Sequence, residues 1–308
     1  MSSIYAPTTI DLSRLPAPDA IQTYSQEAFL RGFRERFAAA WLEEVALDPS
    51  LPVYDVENEE TDTVIIAARP WSFERSLDHQ RVNDAIRSVI GPLSRGTNLD
   101  AVVSNQNVQR RIVRPATDTS PALYESDERL FLRYLLSFER AGAGSEGAYL
   151  YAAYSTVPAI GHAAVVGFET HGRRGDTDVV VMGEAGALVS DDERAAISAA
   201  VRAPNVKPEA VSVAVHKATR VEYQAHVRAE IPQGPDAELV RLQIVDRIKA
   251  ATDARTLIAG EIPDGLIQGA AYGPNVLVVA DLNPIVITPE AYSVPVCTQI
   301  LVEIEVRS

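Results

Sequence analysis

The stretch Val221–Ile231 constrains the fold more than any other part of the chain. Val221, Tyr223, Ala225, Val227, Ala229 and Ile231 alternate there with Glu222, Gln224, His226, Arg228 and Glu230. A sustained period of two suits a strand with one buried face and one wet face. Such a strand needs neighbouring strands and a covering layer. Helical spacing over Asp236–Ala251 supplies the layer, followed by a shorter helix near Ile262–Gly269, a strand at Asn275–Ala280 and a last strand at Gln299–Val306. The expected result is a small α+β unit.

A second unit of the same kind precedes it. Strands are expected at His162–Phe168 and Asp178–Met182, joined by the polar turn Gly172-Arg173-Arg174-Gly175. Ser190 and Glu193 have capping-box spacing and open a helix to Val201, and a strand at Val211–Val215 closes the unit.

Before Gly161 the pattern is helical. A helix is expected over Ser25–Val45, with Thr23 and Gln26 at capping-box spacing. It carries Phe29, Phe33, Phe37 and Trp41 at four-residue steps, beside Leu30 and Leu42. Such a stripe serves either as a core face or as one face of an intersubunit bundle, because large aromatics are enriched at interface cores. These four aromatics are the candidate interface residues. An acidic connector, Asp48–Asp62, follows. Pro70 then suits the first position of a second helix, which ends on Val82, Ala85, Ile86, Val89 and Ile90 before Gly91-Pro92. A short helix is expected over Asn98–Ser104. Ser126 caps another, with Leu130, Phe131, Tyr134, Leu135 and Phe138 as its buried face, and Gly142 and Gly144 end it before a further helix over Ser145–Ser155. The opening residues, with Pro16 and Pro18, read as an extended arm. The expected organisation is an arm (1–23), a helical region (24–158), a middle α+β domain (159–218) and a C-terminal α+β domain (219–308).

Composition narrows the function. The formal charge is 28 − 42 = −14, the wrong sign for a phosphate-binding surface, so no nucleic-acid partner is expected. Cys297 is the sole cysteine, which excludes an intrachain disulfide and a thiolate metal cluster. Met1–Ala20 lacks the basic and apolar regions of a signal peptide, and no apolar run approaches the ~20 residues of a membrane span. Production in the cytoplasm is expected.

The motifs point away from catalysis. Gly142-Ala143-Gly144-Ser145-Glu146-Gly147 matches GxGxxG but follows a helix, whereas a dinucleotide fingerprint follows a strand. His79, His162, His171, His216 and His226 are scattered, and none has the partner of a helical zinc motif. His226 reads as a solvated surface residue. Asp176 and Asp178 read as turn chemistry, Asp191 and Asp192 as first-turn helix acids, and Cys297 as buried filler before a strand. No catalytic, cofactor-binding or metal-binding residue is assigned, and the chain is expected not to be an enzyme. An enzyme with a dispersed site, or a soluble adaptor, is the rival reading.

A series of short blocks resembles the baseplate J-like proteins of contractile-tailed phages. It begins with Ile10-Asp11-Leu12-Ser13-Arg14-Leu15-Pro16-Ala17-Pro18-Asp19. It continues through Arg81-Val82-Asn83-Asp84-Ala85, Gly96-Thr97-Asn98-Leu99-Asp100 and Glu125-Ser126-Asp127-Glu128. The stretch from Ala141-Gly142 to Ala148-Tyr149 follows. Next come Asn205-Val206-Lys207-Pro208 leading to Val221-Glu222-Tyr223, and then the segment from Ala291 to Thr298. Between Tyr54 and Trp71 the sequence departs from the helix the family leads one to expect, and Pro70 breaks it.

The resemblance implies an elongated wedge subunit of a tail baseplate. It implies pairing with a second copy and with a tail protein I-like wedge subunit through the N-terminal helices. Contacts between neighbouring wedges would make a ring around the hub and spike, with a W-like sheath-initiating subunit docked on it. The implied place is the virion tail, or a phage-derived contractile injection particle.

Overall fold

The computed structural model describes residues 18–52 and 61–307. The expected arm up to residue 17, and the connector over 53–60, lie outside the described residues. The chain forms two compact units, the first ending at Gln109 and the second beginning at Arg110.

The first unit is helical. α1 (Gln26–Leu47) starts at Ser25, whose side chain accepts from the Ala28 amide. Thr23 is therefore not the cap, because the first helical turn begins two residues later than the Thr23–Gln26 spacing suggests. α2 (Thr63–Val89) contains Pro70 in its interior rather than at its start. Asp62 is the true N-cap, accepting from the Val64 and Ile65 amides at 2.9 and 3.4 Å. Pro70 cannot donate to Ile66, a defect costing about 3 kcal/mol in a buried helix interior. Burial of Ile65, Ala68 and Ser72 on the same helix offsets the loss. α3 (Gly96–Val103) follows a short 3-10 turn, and Ile65, Ala68, Leu99, Val103 and Val108 are the buried apolar residues described in this unit.

The second unit opens with a hairpin the sequence did not suggest, β1 (Ile112–Arg114) against β2 (Leu123–Tyr124). α4 (Asp127–Ser137) is capped by Ser126, and α5 (Glu146–Thr156) by Ser145. The buried face of α4 differs from expectation. It carries Leu130, Arg133, Leu136 and Ser137, while Phe138 is 44% exposed and Phe131, Tyr134 and Leu135 are half-buried. Arg133 is charged and falls outside the apolar periodicity from which that face is read. The fold buries it by pairing it with a carboxylate.

Next come β3 (Ile160–Val166), the one-turn α6 (Phe168–His171), β4 (Asp176–Gly183), α7 (Asp191–Val201) and β5 (Ser212–Lys217). α6 replaces part of the expected loop between the first two strands. The order is β3-β4-β5, antiparallel then parallel, with α7 in the parallel crossover. The Ser190–Glu193 capping box forms as read. Leu136, Tyr149, Leu150 and Ala153 from α4 and α5 share one core with Val179, Val181, Val213 and Ile197 of this sheet and α7.

Ala218 alone separates β5 from β6 (Thr219–Ile231), the alternating strand. β6 is central in a second sheet of order β7-β6-β8, with β7 (Val278–Asp281) antiparallel to it and β8 (Ser293–Val306) parallel. α8 (Ala237–Asp253), capped by Asp236, covers Tyr223, Val227 and Ile231 with Val240, Ile244 and Ile248. α9 (Leu266–Ala271) lies a few residues later than expected. β8 starts six residues before the expected Gln299 and takes in Pro295 and Cys297. Proline has no amide to donate, and an edge strand tolerates it because one side of its ladder is open.

Candidate interaction surface

The helical hairpin of α1 and α2 brings the predicted aromatic stripe together. Phe33 and Phe37 stack at 6.3 Å and 7° between ring planes, and Phe37 continues to Trp41 at 6.1 Å. Phe33 also meets Trp71 of α2 at 5.2 Å. Phe29 packs on His79 of α2 at 4.9 Å, with Tyr24 closing the cluster at 5.4 Å from Phe29 and 5.1 Å from His79. The Trp41 indole donates to the Pro52 carbonyl at 3.0 Å. Below the cluster, Gln22 and Asn83 exchange two hydrogen bonds, 3.2 and 2.6 Å, which ties the chain before α1 to α2.

All four stripe residues are thus half-buried against their own chain, and α1 has no fully buried residue. A groove of about 560 Å³ runs between the helices. Phe29 and Trp71 form its apolar wall, with Arg36, Glu74, Asp78 and His79 around them. Further apolar side chains point to water. Leu42 and Leu47 of α1 are 67% and 80% exposed. On α2, Ile66, Phe73 and Leu77 recur at steps of seven and four, which puts them on one helix face, and all three are exposed. Leu42 stands beside the stripe in the sequence; the α2 face is not evident there, because Pro70 obscures the helix that makes its spacing meaningful.

The other sequence candidates sit in structural roles. His226 is on the wet side of β6 as expected, but it is paired with Glu303 of β8 at 3.0 Å, and Glu303 also accepts from Arg228. Asp176 and Asp178 lie within β4, not in a turn, and Asp178 is buried among Arg173, His216 and Tyr292. Cys297 lies half-buried inside β8, where burial pushes its thiol pKa up. The glycine segment joins α4 to α5. Gly144 has φ +81° and donates to the Val206 carbonyl, and a Cβ there would stand 2.6 Å from Pro208. A Cβ on Gly147 would collide with Glu139. Both glycines are required by packing. No helix among the described residues is long and apolar enough to cross a membrane.

Residues 60–117 match the model of the Baseplate J-like N-terminal domain. Across 268 residues the chain is 29% identical to Baseplate protein J of Escherichia phage P2, covering 85% of this chain and 86% of that protein. The chain is thus similar to a phage baseplate protein J over most of its length. The domain match takes in α2, α3 and β1, so the helix carrying Trp71, His79 and the exposed Ile66, Phe73 and Leu77 lies within the matched segment. The similarity to the phage protein extends far beyond that domain, in agreement with the ordered blocks along the sequence.

Proposed function

We propose that this chain is a structural component of a phage-type contractile-tail baseplate. The observation that carries the reading is similarity over 85% of this chain and 86% of a phage baseplate protein J, rather than over a shared single domain. The finer part of the proposal is that it is a wedge subunit. The α1–α2 hairpin receives helices of a second, tail protein I-like wedge subunit, and the units after Arg110 take part in contacts that join wedges into a ring around hub and spike. A second copy of the chain and a W-like sheath-initiating subunit complete the partner set, in the virion tail or a related injection particle.

Physical support comes from the hairpin. A two-helix layer leaves apolar side chains uncovered, and Leu42, Leu47, Phe73 and Leu77 are exposed in the isolated chain. A third or fourth helix would cover them at about 25 cal/mol per Å².

Co-expression with the wedge partner tests this. Phe33→Asp with Phe37→Asp removes the stripe, but it also strips α1 from α2, since Phe33 touches Trp71. Phe73→Asp with Leu77→Asp acts on the outward face alone. Loss of co-purification in that second variant, with an unchanged circular dichroism spectrum, is the expected result. Retained complex at wild-type yield would remove the hairpin from the partner contact.

A further inference from the structure

The two sheets of the second unit are covalently linked at one place, Ala218, between β5 and β6. Under that crossing lies a small apolar seam. Val166, Val180, Met182 and Ala218 meet Ile258, Val294 and Val296 there. These are seven buried residues among those described, against fifteen and twelve in the flanking cores, so the seam has the least apolar burial to hold it.

Polar contacts make up the difference. Asp178 of β4 is 2% exposed and accepts from the Tyr292 hydroxyl at 2.5 Å, across a separation of 114 residues. Tyr292 directly precedes β8, so this bond runs from the first sheet to the second. Asp178 also accepts from Arg173 at 2.5 Å, while Arg173 is held by Asp176 at 3.2 Å. His216 of β5 places Nε2 3.4 Å from the other carboxylate oxygen and stands edge-on to the Tyr292 ring at 5.9 Å. A second crossing bond is the Ile258 amide donating to His162 Nδ1 of β3 at 3.3 Å.

We propose that the second sheet is hinged on the first at Ala218, and that Asp178, through Tyr292, is the latch that keeps the hinge closed. Arg173, Asp176 and His216 all come from the first sheet and its turn. They hold the carboxylate charged and aimed, which leaves Tyr292 as the one hydroxyl whose loss opens the seam without disturbing the acceptor. Burial pushes the Asp178 carboxyl up, but the Tyr292 and Arg173 hydrogen bonds and the nearby His216 outweigh it, so it sits below its ordinary value. The latch is therefore closed at neutral pH.

Hydrogen exchange of the full chain at neutral pH tests the hinge, comparing wild type with Tyr292→Phe. Peptides covering the Ala218 and Ile258 amides should exchange about tenfold faster or more in the variant, the effect of losing one hydrogen bond to a charged group. Peptides covering Val179–Val181 and Val227–Ala229 should keep wild-type rates. Asp178→Asn, which keeps an acceptor but discards the charge, should fall between the two. Seam amides exchanging at wild-type rate in Tyr292→Phe would overturn the latch. So would acceleration spread equally over seam and core strands, since that reports only a less stable fold.

Discussion

Glu125 and Arg133 meet at 2.6 Å with 1% and 3% of their side chains exposed, at the root of the β1–β2 hairpin. The same carboxylate accepts the Arg111 amide at 3.0 Å, and Arg110 donates to the Glu125 carbonyl at 2.6 Å and to Asp127 at 2.6 Å. The hairpin itself has no buried residue, and Ile112, Leu123 and Tyr124 are each about half exposed. Its position is therefore set by this buried polar root rather than by packing along its length.

Breaking the pair from one side strands the other charge. Arg133→Met leaves Glu125 buried without its cation and should cost about 3–5 kcal/mol. Adding Glu125→Gln to that variant should restore part of the loss, because the stranded charge is gone. Urea unfolding midpoints of the three proteins check this, and equal midpoints for the single and double variants would contradict it.

Acid should weaken the fold through His162. Burial lowers its pKa from 6.5 to about 4, and its Nδ1 must stay unprotonated to accept the Ile258 amide. His162 has no ion-pair partner among the described residues. The unfolded chain takes up this proton first, so stability falls as the pH drops from about 6.5 to about 4, and His162 contributes no further change below that. The loss by pH 4 is on the order of 2–3 kcal/mol. His162→Gln should flatten this part of a stability-against-pH curve, and a curve with unchanged slope would show that another group carries it.

The capping box at α7 should respond locally. Ser190→Ala removes the acceptor for the Glu193 amide and one partner of the Glu193 carboxylate, a loss of about 1 kcal/mol. Thermal unfolding measures it. An unchanged midpoint would mean that tertiary contacts alone hold the start of α7.

The glycine segment should bind no nucleotide. Gly144→Ala should instead destabilise the chain, since φ is +81° and the new methyl meets Pro208 at 2.6 Å. Calorimetry with NAD, FAD and ATP should show no saturable heat in the wild type. A micromolar dissociation constant for any of them would contradict the packing account of these glycines.

Regular, half-buried elements were legible in the sequence. β6 was evident because Tyr223, Ala225, Val227, Ala229 and Ile231 bury on one face with polar residues between them. The Ser126 and Ser190 caps were evident for a similarly local reason. What was hidden depended on partners distant in sequence. Arg133 and Asp178 are charged, so hydrophobic periodicity assigns them to water, yet each is buried by a partner it pairs with in space. The first half of β8 was hidden by Pro295 and by loss of alternation where Ser293–Val296 bury on both faces at the seam. The aromatic stripe of α1 was plain, but its packing against α2 required a helix running through Pro70.

The most direct test of the account is the composition of tail particles. Particles purified from cells producing the contractile tail encoded with this chain should contain it in a fixed ratio to the baseplate spike, and it should remain with the baseplate when sheath and tube are stripped away. Quantitative mass spectrometry of the stripped particles reads this directly. Recovery of the chain only in the free soluble fraction, with complete particles lacking it, would contradict the baseplate assignment.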